Sequence, residues 1–379
     1  MWIVFGFSSI GVLGLSYVLS RHSAGKAWKT RTEKDFRPKV SIVVPTYNES
    51  ESIDYKLRNL AKLDYPRDLT QVILIDSGST DSTVYKAEAF AKDHPEITLN
   101  IQVENERRGK ASALNTALKS CEGTVAIVSD ADCFWPSNIL TRALPYLADP
   151  NVGAISGPKR LLNSDASLPA RNEAMYLESM NMIKLGESKS SSTILFEGGF
   201  SAYKKELFES FDPYATGSDD CGTVINLLEK GHRAIMVEEA EFYTAFPKTW
   251  KGRLTMKARR ANQLIRVLKR YAILLSRNKI KVGRGVVAKN VFLYLISPLM
   301  FFLFLAMTAY VMFRLPLLAI SLLVLVIPGA SNYFVEVTLN YLILLYALFS
   351  SLSKRFIIWE KPDDRSLLEE KVLTQKGLV

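Results

Sequence analysis

Cysteine is scarce: Cys121, Cys133 and Cys221 are the only three among 379 residues. They are too few and too scattered for a disulfide framework or a zinc site, so a reducing compartment is the default. The dinucleotide fingerprint GxGxxG is missing after the first two apolar strands, and GxxxxGK[ST] is missing throughout. A Rossmann dehydrogenase and a P-loop enzyme are thereby disfavoured. Residues 1–20 hold no charged side chain, and residues 251–289 hold no acid. The first absence reads as an uncleaved membrane anchor whose basic flank, Arg21, Lys26, Lys29, Arg31 and Lys34, faces the cytosol. A cleavable signal peptide fits less well, since no basic stretch precedes the apolar run and no convincing small-x-small site follows it.

What is present fits one catalytic domain joined to membrane segments. The charged fraction of 23% with 48% hydrophobic residues argues against disorder, and a mean hydropathy of +0.07 is high for a soluble enzyme. The net charge of +10 is concentrated: residues 251–289 carry thirteen Lys and Arg, leaving the remainder at −3. Strongly apolar sequence follows that segment directly, which favours a membrane surface over nucleic acid as its partner. Beyond it, residues 290–313 are long enough to span a bilayer, residues 317–327 are apolar but short, and residues 333–352 form another possible span. Two or three C-terminal spans are expected within 290–353. The basic start of the tail at Lys354-Arg355 favours two, with the tail inside. Glu336, the one acid among these helices, reads as a polar residue near a helix end, with a functional role as the alternative.

Residues 37–248 alternate β-branched runs with amphipathic stretches, the pattern of an α/β domain with a largely parallel sheet. Strands are predicted at 40–44, 72–75, 97–103 and 125–128, and helices at 49–63, 81–92 and 110–119. Ligands of such sheets bind beyond the carboxyl ends of the strands. There the sequence places Pro45-Thr46-Tyr47-Asn48-Glu49, then Asp76-Ser77-Gly78-Ser79-Thr80-Asp81, then Ser129-Asp130-Ala131-Asp132. Asn48, Ser79 and Asp81 could serve as helix caps or helix-start residues, whereas Asp76 ends a strand before any helix begins. Two carboxylates one residue apart suit a hard divalent cation. By spacing alone, a metal site and a metal-free paired-Asp turn stand level. Asp219-Asp220 precede another helical run at 223–230 and are either dipole-favoured acids or the place of a general base.

Taken in order, VVPTYNES, the Asp76–Asp81 corner, Asn-x-x-Arg-Arg-Gly-Lys-Ala-x-Ala-Leu-Asn, DAD and SDD resemble a family 2 glycosyltransferase of the GT-A fold. The flanking apolar segments make it similar to the membrane-embedded branch that includes cellulose, hyaluronan and poly-N-acetylglucosamine synthases and ceramide glucosyltransferase. The resemblance implies that Pro45, Tyr47 and Glu49 shape a nucleotide pocket and that Asp76 contacts the base or ribose. It implies that Lys110 lies near a nucleotide diphosphate and that Asp130 and Asp132 hold Mg²⁺ or Mn²⁺, with Asp130 also near the nucleotide. Asp220 would be the catalytic base, with Asp219 replacing the usual Glu beside it, and Arg260 would meet the diphosphate. Ser77 stands where a second Asp is common, and Ala261 where processive members carry Trp. Trp359-Glu360-Lys361-Pro362-Asp363-Asp364-Arg365 resembles a cytosolic element of the family.

The implied activity is inverting transfer from a nucleotide-diphosphate sugar to a lipid or lipid-linked glycan. The enzyme would be integral to the cell membrane, with residues 37–248 cytosolic, 249–289 interfacial and 354–379 a cytosolic tail. A processive polysaccharide synthase is the alternative within the class, and an inactive membrane scaffold is the alternative outside it. Membrane lipids are expected partners and nucleic acid is not.

Overall fold

The computed structural model describes residues 2–315, 330–351 and 370–379. The apolar run at 317–327, Pro328-Gly329, Lys354-Arg355 and the Trp359 to Arg365 element lie outside the described residues. Strand β1 (Val40–Thr46) is almost continuously β-branched, and Val40, Ile42, Val43 and Val44 are fully buried, as a strand covered on both faces must be. It pairs in parallel with β2 (Thr70–Asp76) and β4 (Val125–Val128), and β2 pairs with β3 (Leu99–Val103). Completing the sheet are β6 (Val152–Ser156), β8 (Ser201–Lys204) and β9 (Arg233–Met236), in the order β3-β2-β1-β4-β8-β6-β9. Only β8 among these seven runs against its neighbours, so the parallel reading holds for the nucleotide half and is broken at one strand beyond it. The register sets Thr46 opposite Asp76, which brings the corners after β1 and β2 level with each other.

Helices α3 (Ile53–Ala61), α4 (Thr83–Asp93), α5 (Lys110–Leu118) and α6 (Ile139–Ala143) connect these strands. A small second sheet holds β5 (Cys133–Phe134), β10 (Phe242–Thr244) and β7 (Lys159–Leu161). Next come α7 (Leu168–Ser190), α8 (Asp219–Lys230) and α9 (Trp250–Ser276). Ser167 caps α7 by accepting the Ala170 N–H, and Thr249 caps α9 through the Gly252 N–H.

Helix α1 (Trp2–Gly6), a π-helical turn at Phe7–Gly11 and α2 (Val12–Ala24) run on as one helix. So do α10 (Arg284–Val291), the π-helical turn Phe292–Ile296 and α11 (Ser297–Arg314). Val4–Ala24 and Arg284–Arg314 are the two described stretches long and apolar enough to cross a membrane. Helix α2 seats on α7 at Gly186, where a Cβ would come within 2.0 Å of the Ser20 carbonyl oxygen.

The segment expected as another span is α12 (Ala330–Ser350), and it lies along α9. Arg253 donates to Glu336 at 2.9 Å, Lys257 to Asn340 at 2.9 Å, Asn262 to Ser350 at 3.2 Å and Lys269 to Ser351 at 2.9 Å. Both sets of numbers rise together, so the two helices run in the same direction. Glu336 is therefore one member of a polar face with helical spacing, and it is an ion-pair partner rather than an isolated acid near a helix end.

Residues 370–379 return to the catalytic domain. Helix α13 (Glu370–Gln375) and the following turn bury Leu373, Leu378 and Val379 against Phe134 of β5, with Tyr55, Leu162 and Tyr243 alongside. Asn59 donates to the Leu378 carbonyl at 2.6 Å, and Arg58 pairs with Glu370 at 2.7 Å.

Candidate active site

The corner after β2 folds around Asp76, which is fully buried. Its Oδ1 accepts from Thr46 Oγ1 at 3.0 Å and from Ser79 Oγ, and its Oδ2 accepts the Ser79 N–H at 2.7 Å. These three bonds fix the carboxylate within the corner. Asn48, at φ +52°, and Ser79 do not cap helices either. Asn48 donates its N–H to Ser79 Oγ and accepts the Thr80 N–H, stapling the two corners together. Asp81 does serve a helix start, accepting the Thr83 N–H at 3.0 Å. Glu49 binds Ser52 Oγ at the start of α3, and Tyr47 lies under the Arg107 guanidinium at 3.6 Å from the ring centroid. Pro45, Tyr47, Glu49 and Asp76 do not line the main cleft.

That cleft has a volume of about 1250 Å³ and is lined by Lys110, Asp130, Asp219, Asp220 and Arg260. Lys110 opens α5 behind Gly109, which holds φ +96°, and its ammonium sits 2.7 Å from Asp130 and 3.0 Å from Asp219. Burial would push that ammonium down, but Asp130, Asp219 and Asp220 outweigh it and hold its pKa well above the ordinary value. Asp219 moves the other way. Burial, opposed by Lys110 and aided by Asp220 and Asp130, raises its carboxyl to about 6. Asp220 accepts from Ser218 Oγ and the Cys221 N–H in the first turn of α8. Asp219 is thus committed to Lys110, while its neighbour is held by short local bonds alone among those described.

Asp130 and Asp132 follow β4, and their oxygens lie within 4.8 Å of each other and of Cys133 Sγ. Two carboxylates form a hard oxygen set that fits Mg²⁺ or Mn²⁺. Cys133 is 2% exposed, and its thiol is pushed well up by burial and by both carboxylates, so it is a poor third ligand for such an ion. Arg260 is 3.8 Å from Glu173 on α7, facing the cleft. Ala261 packs with Ile265, Phe301 and Tyr341, so it belongs to an apolar seam and offers no aromatic platform.

Several cleft residues escape sequence reasoning. Glu197, just after the apolar run into β8, pairs with Lys184 at 2.6 Å and Lys159 at 2.9 Å. Burial pushes its carboxyl up, but the two lysines outweigh it and hold it far below the usual carboxylate range. The adjacent Gly198 is packed so closely that a Cβ would meet Lys110 Nζ at 2.7 Å and Asp130 at 3.2 Å. The Gly198-Gly199 pair was the available signal for this approach. Helix α7, where no motif is legible, supplies Glu173, Tyr176 and Lys184. Leu13 and Tyr17 of α2, Leu293 and Tyr294 of the turn before α11, and Tyr341 and Leu344 of α12 line the same cleft.

Comparison with known proteins agrees with this arrangement. Beta-monoglucosyldiacylglycerol synthase from Synechocystis sp. is 31% identical over 136 residues, covering 36% of this chain and 28% of the relative. Poly-beta-1,6-N-acetyl-D-glucosamine synthase from Staphylococcus aureus is 26% identical over 227 residues, covering 57% of this chain and 53% of the relative. The chain therefore spans between about a quarter and about half of the curated relatives it matches. A mannosyltransferase from Pyrobaculum calidifontis, solved with GDP-Man and Mn²⁺, superposes with a TM-score of 0.78 at 30% identity. That match covers 93% of this chain and 98% of the other. The sheet, with the acidic turn at the end of β4, is the GT-A arrangement. The family described as "Glycosyltransferase like family 2" matches residues 38–263, from the start of β1 through Arg260, and so this chain belongs to glycosyltransferase family 2.

Proposed function

We propose that this protein is a membrane-bound, metal-dependent inverting glycosyltransferase that moves a sugar from a nucleotide-diphosphate donor to a hydroxyl of a lipid or lipid-linked glycan. One observation carries the reading. The cleft that gathers Lys110, Asp130, Asp219, Asp220 and Arg260 is also lined by Leu13, Tyr17, Leu293, Tyr341 and Leu344, from the apolar helices. Charged groups and side chains from apolar helices lining one cavity match a donor that is water-soluble and an acceptor that is not. The match to the P. calidifontis mannosyltransferase along nearly the whole chain makes GDP-mannose the first donor to test.

Asp220 takes the proton from the acceptor hydroxyl as that oxygen attacks the anomeric carbon, and the bond to the diphosphate breaks on the opposite face. A single displacement of this kind inverts the anomeric centre. Lys110 and Arg260 supply positive charge where the diphosphate gains negative charge. A divalent cation held by Asp130 and Asp132 would add charge compensation at the same leaving group. Asp219 keeps Lys110 in place between two carboxylates and is thus a positioning group for it.

The basic flank at 21–34 and the acid-free segment 249–289 support a cytosolic catalytic domain under the positive-inside rule. Packing of residues 370–379 on that same domain supports an even number of crossings after it, in keeping with two spans. The basic segment then serves anionic headgroups and its own ion pairs, not nucleic acid.

The test is a panel of nucleotide sugars offered to the protein in native membranes, reading nucleoside diphosphate release and the mass of the glycosylated lipid. Asp220→Asn should lower transfer by about 10³-fold while nucleotide binding persists. Full transfer in that variant refutes the base assignment. A ladder of long polymer instead of single-sugar addition would favour the processive reading that the S. aureus relative raises.

A further inference from the structure

Lys56 of α3 is 0% exposed, although lysine is among the residues least often buried. A methionine would fill the same space without the desolvation cost of an ammonium, so its presence calls for a compensating role. All three directions of the ammonium are used. It lies 2.6 Å from Ser129 Oγ and 2.8 Å from the Cys133 carbonyl oxygen, donating to both, and stands 4.3 Å from the centroid of the Trp135 ring. Ser129 and Cys133 bracket Asp130-Ala131-Asp132. The bracketed turn has little regular structure of its own: the Cys133 N–H reaches Asp130 O at 3.1 Å, and the Asp130 N–H reaches Gly198 O at 3.2 Å. Ser129 Oγ and Trp135 Nε1 both point to the Gly199 carbonyl, at 3.3 and 2.7 Å, so the lysine also ties the turn to the Gly198-Gly199 approach.

We propose that Lys56 is a positioning residue for metal binding, pinning both ends of the Asp130–Asp132 turn so that the two carboxylates converge before a cation arrives. It bonds to neither carboxylate and does not line the cleft, and it acts through Ser129, the Cys133 backbone and the charge it sets near Asp130 and Asp132. The inference rests on reading Asp130 and Asp132 as the metal ligands.

The experiment is direct Mn²⁺ titration of the purified full chain in detergent with GDP present, following free Mn²⁺ by electron paramagnetic resonance. In parallel, the Mn²⁺ concentration for half-maximal transfer and kcat at saturating Mn²⁺ are measured. Lys56→Met should weaken Mn²⁺ binding by roughly 10- to 100-fold, the range seen when partners behind metal ligands are removed, while kcat at saturating metal stays within about threefold. A fall in kcat with unchanged metal affinity would mark a merely structural lysine and overturn the proposal. Ser129→Ala keeps the lysine but removes one pin, and a rise of about threefold in the Mn²⁺ constant is expected. If Lys56→Met does not fold, Ser129→Ala decides alone, and an unchanged constant there overturns the proposal. Absence of Mn²⁺ binding by the unaltered protein would instead overturn the metal assignment of the turn.

Discussion

One cation held between two acids occurs twice along the same cleft, with opposite consequences. At the reaction end, Lys110 sits between Asp130 and Asp219, its side chain 25% exposed. Behind the cleft wall, Arg253 sits between Glu173 at 3.3 Å and Glu336, with two parallel bonds of 2.9 Å to the latter and no exposure at all. A lysine ammonium is a compact charge that can trade one carboxylate for a phosphate as a ligand arrives. A guanidinium locked face to face with a carboxylate cannot do so cheaply. The difference shows that charge alone does not mark a functional group. Accessibility and the freedom to change partners do, which fits Lys110 to the diphosphate role proposed for it and makes Arg253 a rivet between α9, α7 and α12.

Breaking each centre in turn should separate these roles. Lys110→Met should cut transfer by about 10³-fold, comparable to loss of a preorganised electrostatic group, with little change in melting temperature. Arg253→Met should do the reverse. Glu173 keeps Lys257 and Arg260 and Glu336 keeps Asn172, so losing the guanidinium between them should cost roughly 3 kcal/mol of stability, the low end for a broken buried pair, read by thermal unfolding in detergent. Activity per folded molecule should change far less. The double variant Arg253→Met with Glu336→Leu should recover part of that loss, since it removes the stranded acid. Gly198→Ala sharpens the comparison from a third side. The new methyl displaces Lys110 and Asp130 without touching the Arg253 network, so a loss of about tenfold to a hundredfold in kcat with unaltered unfolding is expected. The smallest effect concerns pH. Asp219 must be ionised to hold Lys110, and its carboxyl is raised to about 6, so transfer should decline as pH falls through that value. In Asp219→Asn that acid limb should be missing from the pH–rate profile.

The nucleotide half was the readable one. Strands β1 to β4 announce themselves by β-branched runs, and their corners carry the motifs, because a parallel sheet delivers successive strand ends to one edge. What the motifs did not show is which oxygens remain available. Asp76 reads as a strand-end acid and is buried, bonded to Thr46 and Ser79. The acceptor half was opaque for a different reason. Arg253 and Glu336 are 83 positions apart, and Lys56 and Cys133 are 77 apart, so nothing local in the sequence pairs them. Helix α7 carries a cleft wall through scattered residues whose spacing matches only a helix. The acid-free segment, legible as a basic collar, proves to be bonded along α12 by Arg253, Lys257, Asn262 and Lys269.

The docking of Leu373, Leu378 and Val379 on Phe134 sets an order of assembly. Phe134 directly follows the acidic turn and Cys133, and its apolar cover is made from chain that emerges only after α10, α11 and α12. During synthesis the catalytic domain therefore remains unfinished beside its acidic turn until the apolar helices have left the ribosome. The cover over Phe134 is thereby completed only once both apolar stretches after the catalytic domain have been made.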